Sequence, residues 1–260
     1  MKTSSISKSL LTLSLLFSFA SVALAESKEI KKEENGFINL FNGKDFTDWE
    51  QRGGKAKYVV KDGIIVGTTA LKTPNSFMCT KKHYSNFILE LDFKVDPAMN
   101  SGVQIRSNAY DNETRYSFTK TRAITNTIQT DKGVVTKTRM VPYTVSGPIP
   151  AHRVHGYQVE IDPSERSWTG GIYDESRRGW LNNLAKNEKA RKAFKQNEWN
   201  HFKIVADDDS IKTWINGVPA ADLKDKMTAS GFIGLQVHNT RSKTPLQVMW
   251  KNIRLKELSK

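Results

Sequence analysis

The run Tyr157-Gln158-Val159-Glu160-Ile161-Asp162 carries the sharpest chemical signal in this 260-residue chain. On an extended strand, side chains two apart share a face, so Gln158, Glu160 and Asp162 line one side and Tyr157, Val159 and Ile161 the other. The backbone positions of the two acids are then roughly 7 Å apart. That is close enough for each carboxylate to disturb the other's ionisation and for both to reach one substrate. Two more runs repeat the pattern: Gln104 and Arg106 share a face in Val103-Gln104-Ile105-Arg106, as do Gln236 and His238 in Leu235-Gln236-Val237-His238. If the three strands are sheet neighbours, one surface gathers amides, carboxylates, a guanidinium and an imidazole. Such a set suits a sugar, whose hydroxyls take paired hydrogen bonds from planar amides and carboxylates. Tyr110, Trp168, Tyr173 and Trp180 are candidates for stacking on a sugar ring, with core packing as their other reading.

Other chemistries find less support. There is no Gly-rich phosphate loop, no His-Glu-x-x-His helix and no Gly-x-Ser-x-Gly elbow, and one cysteine cannot build a thiolate metal site. That cysteine, Cys79, lies in the apolar run Phe77-Met78-Cys79 and reads as a small buried hydrophobe. It excludes an intramolecular disulfide. His152 and His155 could meet His238 and a carboxylate around a divalent cation, which spacing alone leaves open.

The elements that must position these residues are strands. Short runs rich in Val, Ile, Phe and Tyr, punctuated by Gly, Asn and Asp, predict an all-β sandwich. The clearest are 57–60, 64–67, 87–95, 102–106, 157–162, 200–206, 210–215, 232–238 and 247–255. In the third of these, Leu89, Leu91, Phe93 and Val95 point inward and Glu90, Asp92 and Lys94 outward. Asn216-Gly217 and Asp62-Gly63 are hairpin turns, because both residue pairs tolerate the positive φ of a type I′ turn. One helix is expected over 181–195. Residues 107–155 are polar, rich in Thr, Lys and Arg, and read as a long loop excursion over the binding face, with one hairpin around Asp131-Lys132-Gly133. Asn112-Glu113-Thr114 matches a glycosylation acceptor triplet.

Upstream, Lys2 and Lys8, the apolar run Leu10 to Ala20, and Ala23-Leu24-Ala25 predict a signal peptide over 1–25, hence export to a periplasmic or extracellular location. Residues 26–35 read as a flexible charged leader, and 36–258 as a single domain. The formal charge is +13, or +11 without Lys2 and Lys8. It is spread along the chain among acids and accompanied by no nucleic-acid motif, so a solvated surface is expected rather than a nucleic-acid site. No later stretch approaches the roughly 20 apolar residues of a membrane helix. Protein partners are not legible.

An ordered set of segments resembles the 3-keto-disaccharide hydrolase domain family, which has a concanavalin A-like lectin and glucanase fold. The segments are Leu40-Phe41-Asn42-Gly43-Lys44-Asp45-Phe46-Thr47-Asp48-Trp49, Asn100 to Arg106, Gly156 to Asp162, Thr169 to Glu175, Glu198-Trp199-Asn200, Trp214-Ile215-Asn216-Gly217 and Gly231 to His238. The stretch 107–155 falls outside the pattern. The resemblance implies a jelly roll of two antiparallel sheets and cleavage of glycosides oxidised at carbon 3. A ketone there acidifies the hydrogen on carbon 2, so a base can remove it and the group on carbon 1 is expelled. The site then needs a base, a donor to the enolate oxygen and an acid for the leaving group. Glu160 or His238 is expected as base, Arg106 or a bound cation as enolate stabiliser, and Asp162 as acid or ligand. Two alternatives stand beside this: a non-catalytic lectin-like module, and a direct glucanase. Glucanases of this fold carry a third carboxylate at i+4, where this chain has Ser164.

Overall fold

Period-two hydrophobicity sets the layering. The computed structural model describes residues 35–259, so the predicted signal peptide and all but the last residue of the predicted leader lie outside the described residues. The strands are β1 (Ile38–Asn39), β2 (Trp49–Gly53), β3 (Lys57–Lys61), β4 (Ile64–Thr68), β5 (Ser76–Thr80), β6 (Phe87–Val95), β7 (Ser101–Asn108), β8 (Thr114–Thr130) and β9 (Gly133–Ile149). They continue with β10 (His155–Ile161), β11 (Ile172–Glu175), β12 (Gly179–Asn182), β13 (Asn200–Asp207), β14 (Ser210–Ile215), β15 (Val218–Lys224), β16 (Phe232–Val237) and β17 (Gln247–Glu257).

Two antiparallel sheets form the sandwich, one ordered β15-β14-β13-β6-β17-β4-β3 with β1 beside β17, the other β12-β11-β10-β7-β16-β5-β2. The core lies between Leu89, Leu91, Phe93, Phe202, Ile204, Val248 and Trp250 of the first sheet and Val103, Ile105, Tyr157, Val159, Leu235 and Val237 of the second. In the first sheet, β6 alternates fully buried and half-buried residues, as one wet face requires. In the second, every residue of β5, β7, β10 and β16 is buried, so its outward polar side chains are also shut away from water. That second face carries the site.

Both predicted tight turns form: Asp62 and Gly63 have φ of 51° and 75°, and Asn216 and Gly217 have 48° and 81°, the left-handed geometry of a type I′ turn. The expected helix shrinks to α1, Glu188–Ala193, capped by Asn187, whose Oδ1 accepts from the Ala190 N–H. Only Ala190 is buried on it, and Gly179–Asn182 is instead taken up as the edge strand β12. Pairing along a sheet edge outweighs a weak apolar stripe. The excursion also differs from the loop expected. It is a two-stranded ribbon, β8 paired with β9 from Thr114–Ile149 to Thr130–Gly133, turning where the hairpin was predicted.

Candidate active site

Register brings the polar strands together. β7 lies between β10 and β16, with Gln158 opposite Gln104 and Gln104 opposite Gly234, while Glu160 faces Gly102 and Gly102 faces Gln236. Gly102 matters because a Cβ there would stand 2.6 Å from Cδ of Gln158. Only a missing side chain lets the Gln158 amide lie across the floor.

That amide is a hub. Its Oε1 accepts from Nε2 of Gln104 at 2.7 Å and from Nε2 of Gln236 at 2.8 Å, and its own Nε2 donates to Glu160 Oε2 at 2.8 Å. Upstream, the Ser107 hydroxyl donates to Gln104 Oε1 at 2.7 Å. Every donor in the chain therefore points toward Glu160, whose Oε1 accepts a second bond from Asn100 Nδ2 at 2.7 Å. Burial disfavours the charged carboxylate and dominates, the two amide donors resist it, and the Glu160 carboxyl is pushed up to about 7. An acid of that strength can gain or lose a proton at neutral pH.

Above this floor is a hollow of about 420 Å³ lined by Glu160, Gln158, Gln236, Asn100, Asn75, Glu175, His238, Arg166, Tyr173 and Trp180, within the roughly 300–1,000 Å³ usual for small-molecule sites. Trp180 and Tyr173 form an aromatic wall, ring centroids 5.4 Å apart and nearly perpendicular. Trp168, expected as a stacking residue, stands behind Trp180 at 4.8 Å rather than in the lining. The Arg166 guanidinium lies over both rings, 4.6 Å from Trp168 and 5.3 Å from Trp180.

Asp162 does not line the hollow. Its Oδ1 accepts from the Ser164 hydroxyl at 2.6 Å, and its Oδ2 from Arg166 Nε at 2.7 Å and the Trp168 N–H at 3.1 Å. Burial works to raise its carboxyl, but Arg166, Ser164 and Trp168 hold it below the ordinary value. A carboxylate so committed is no proton donor. It ties the turn 162–169 and presents Arg166, so the expected role as acid gives way to one of positioning.

At the other end of the hollow, Glu175 is 7% exposed and its carboxyl is raised by burial, against which the nearby Arg153 guanidinium and the side chains of His238, Asn75 and Ser176 act. His238 is half-buried, and its Nδ1 faces the Asn239 carbonyl at 2.8 Å. The carbonyl can only accept, so Nδ1 carries the hydrogen and Nε2 is the acceptor of the neutral ring. No carboxylate hydrogen-bonds to this ring among the described residues.

Arg106 departs from the expected face. Its φ of +46° marks a bulge, and the pairing of β7 with both neighbours shifts register there. One extra residue flips the period-two assignment. The side chain crosses to the first sheet, where Nε donates to Ser85 O at 2.6 Å, Nη1 to Asp208 O at 2.7 Å and Nη2 to Asn86 Oδ1 at 3.0 Å. Arg166 is the guanidinium that reaches the hollow. Tyr110 likewise lies elsewhere, packed on His155 at 5.2 Å in a separate hollow of about 300 Å³ at the foot of the ribbon. His155 thus stands apart from His238, and His152 is exposed beside Asp111. No group of three or more His, Cys, Asp or Glu is placed to hold a metal ion among the described residues. Cys79 is fully buried, and burial pushes its thiol up.

Four lining residues escaped sequence reasoning. Glu175 could have been found, because it shares parity with Tyr173 on β11, and Asn100 shares parity with Gly102 and Gln104. Asn75 and Arg166 sit outside the strands, where no period marks a side chain's direction.

A buried-amide platform under a polar hollow, on one sheet of a two-sheet jelly roll, defines a carbohydrate-active β-sandwich protein of the concanavalin A-like type. Residues 36–256 match the 3-keto-alpha-glucoside-1,2-lyase-like domain, and the chain belongs to that family. No curated protein matches it. Among solved structures, it is similar in fold to a Parabacteroides distasonis ATCC 8503 protein provisionally assigned as a glycosyl hydrolase, at 18% identity and a TM-score of 0.50, covering 86% of this chain and 95% of that one. A β-1,3-1,4-glucanase (lichenase) derived from a mouse hindgut metagenome aligns at 11% identity and a TM-score of 0.46, over 85% of this chain and 98% of that one. The carbohydrate-binding module CBM66 from Bacillus subtilis aligns at 13% identity and 0.43, over 81% and 96%.

Proposed function

We propose that the protein cleaves glycosides whose sugar is oxidised at carbon 3, with Glu160 as the base. The observation that carries this reading is the Glu160 carboxyl, buried on the floor of the hollow and pushed up to about 7. Its carboxylate takes the proton from carbon 2, and the C–H electrons move into an enolate on the carbon 3 oxygen. As the ketone re-forms, the bond from carbon 1 to the leaving oxygen breaks and a carbon 1–carbon 2 double bond is left, to which water then adds in a net hydrolysis. Arg166, held by Asp162, supplies donors to the enolate oxygen. Glu175, whose carboxyl burial raises, delivers the proton to the leaving group. Gln236 Oε1, buried without a hydrogen-bond partner among the described residues, offers an acceptor to a sugar hydroxyl, and Trp180 and Tyr173 offer the ring a stacking wall.

The glucanase reading loses support because Asp162 is turned away from the hollow and Ser164 is bonded to it, so Glu160 has no carboxylate partner at i+2 or i+4 of its own run facing the substrate. The test is incubation with a 3-keto-glucoside, with and without chelator, following release of the aglycone. Wild-type protein should release it, and Glu160→Gln should lose at least about a hundredfold in kcat, the lower end of the usual general-base contribution of roughly 10²–10⁴. Binding without release would leave a lectin-like module, and undiminished turnover by the variant would remove Glu160 from the mechanism. We propose separately, from the signal-peptide pattern of residues 1–25, that the protein works outside the cytoplasm after their loss. N-terminal sequencing of the protein from its native host should begin at Glu26, and an intact Met1 would overturn it.

A further inference from the structure

The ribbon of β8 and β9 runs 17 residues on each strand, about 55 Å at roughly 3.3 Å per residue. From 119 to 140 every residue but Ile124 is exposed. An isolated two-stranded ribbon is marginal in water, and this one has two unlike faces. Paired residues share a face, so Thr119 with Thr144, Thr125 with Thr138 and Thr127 with Thr136 make one side a hydroxyl ladder. The other side sets Lys120, Arg122, Lys137 and Arg139 among aliphatic and aromatic neighbours, ending at the cross-strand pair Ile128 and Val135. The ribbon has six basic residues and one acid, Asp131, in the turn.

Two observations narrow the partner. Five of the eight exposed large hydrophobic residues among the described residues lie on the ribbon: Ile128 at 52%, Val135 at 41% and Tyr143 at 38% stand on the basic face, and Val134 and Met140 on the threonine face, Val134 beside the tip. A soluble polyanion would neutralise the lysines and arginines but give those aliphatics nothing to bury against. The strand edges are blunted, since Pro142 and Pro148 remove donors from β9 and charged side chains stud both strands. Pairing edge to edge with a second copy is thereby disfavoured, which leaves the face. A bilayer with anionic headgroups meets both needs, taking aliphatic side chains at its boundary while the long basic ones reach the phosphates.

We propose that the basic face and tip of this ribbon dock on an anionic lipid surface. The experiment is co-sedimentation of the whole protein with phosphatidylglycerol–phosphatidylcholine vesicles and with phosphatidylcholine vesicles alone, each at low and high salt, beside binding to soluble dextran sulfate. Wild-type protein should sediment with the anionic vesicles only. The variant K120Q/R122Q/K137Q/R139Q should lose roughly a hundredfold or more in vesicle affinity, and I128S/V135S roughly tenfold. Both should keep the wild-type thermal transition, because none of these side chains enters the core. Failure to bind anionic vesicles overturns the proposal. So does vesicle binding that I128S/V135S leaves unchanged, which would mark a site for any polyanion, or a dimer formed through the ribbon without lipid binding.

Discussion

At Glu160, two opposed influences set the chemistry, and they can be separated by substitution. Burial raises the carboxyl, while Asn100 and Gln158 donate to its ionised form. Gln158 cannot be removed cleanly, because Gln104 and Gln236 would lose their shared acceptor inside the protein. Asn100 can, since it stands at the half-buried end of the network. A hydrogen bond to a charged group is worth about 1.5–3 kcal/mol, so Asn100→Ala should raise Glu160 by roughly one to two pKa units. A base must be ionised to act, and activity should therefore climb with pH through about 7 in the wild type. In the variant the same acidic limb should move to higher pH while the rate on the alkaline plateau changes far less. A pH–rate profile of kcat/KM checks this. A uniform drop with no displacement of the limb would mean that Asn100 serves binding alone.

Among the elements, what the sequence disclosed follows from what periodicity can encode. Phe87–Val95 and Ser210–Ile215 form with the bounds predicted, because apolar alternation and Asn-Gly or Asp-Gly punctuation are local signals. The three strands bearing Gln104, Gln158 and Gln236 are legible for the same reason. Where the period breaks, the reading breaks. Arg106 carries the alternation of its strand up to the bulge at its own φ of +46°, and nothing in Ile105-Arg106-Ser107 announces a positive φ at a non-glycine residue. Asp162 follows the last residue of β10, so its side chain answers to the turn and not to the pleat. The four-residue strands β11 and β12 offer only two positions on each face, so Glu175 was legible only through its parity with Tyr173. The ribbon was hidden by composition. Threonine, lysine and proline look like loop, yet Thr is a good strand former when half its contacts are cross-strand hydroxyls such as Thr125 to Thr138 at 3.0 Å.

For the molecule as a whole, the site is paid for in pH-dependent stability. Glu160 binds its proton more tightly folded than unfolded, so between its ordinary value of 4.5 and about 7 the folded state holds more protons than the unfolded one. Stability then falls as pH rises, by linkage. The contribution is complete below about 4.5 and is lost as pH passes through about 7, amounting to something on the order of 3 kcal/mol. Glu175, also raised by burial, adds to the same slope. Asp162 and Asp225 act in the opposite sense. Burial would raise both, but Arg166 and Ser164 for the first, and Arg178 and Tyr157 for the second, hold them below 3.8. Their contribution is present above that value and lost only as pH falls beneath it, so the two windows do not overlap. Urea unfolding of wild type and Glu160→Gln at a series of pH values from 4 to 9 should therefore give a difference that grows in the variant's favour from about 4.5 to just above 7 and is flat beyond. A difference that stays constant across that range would mean that Glu160 ionises near its ordinary value, and the case for it as a base poised at neutral pH would fall with it.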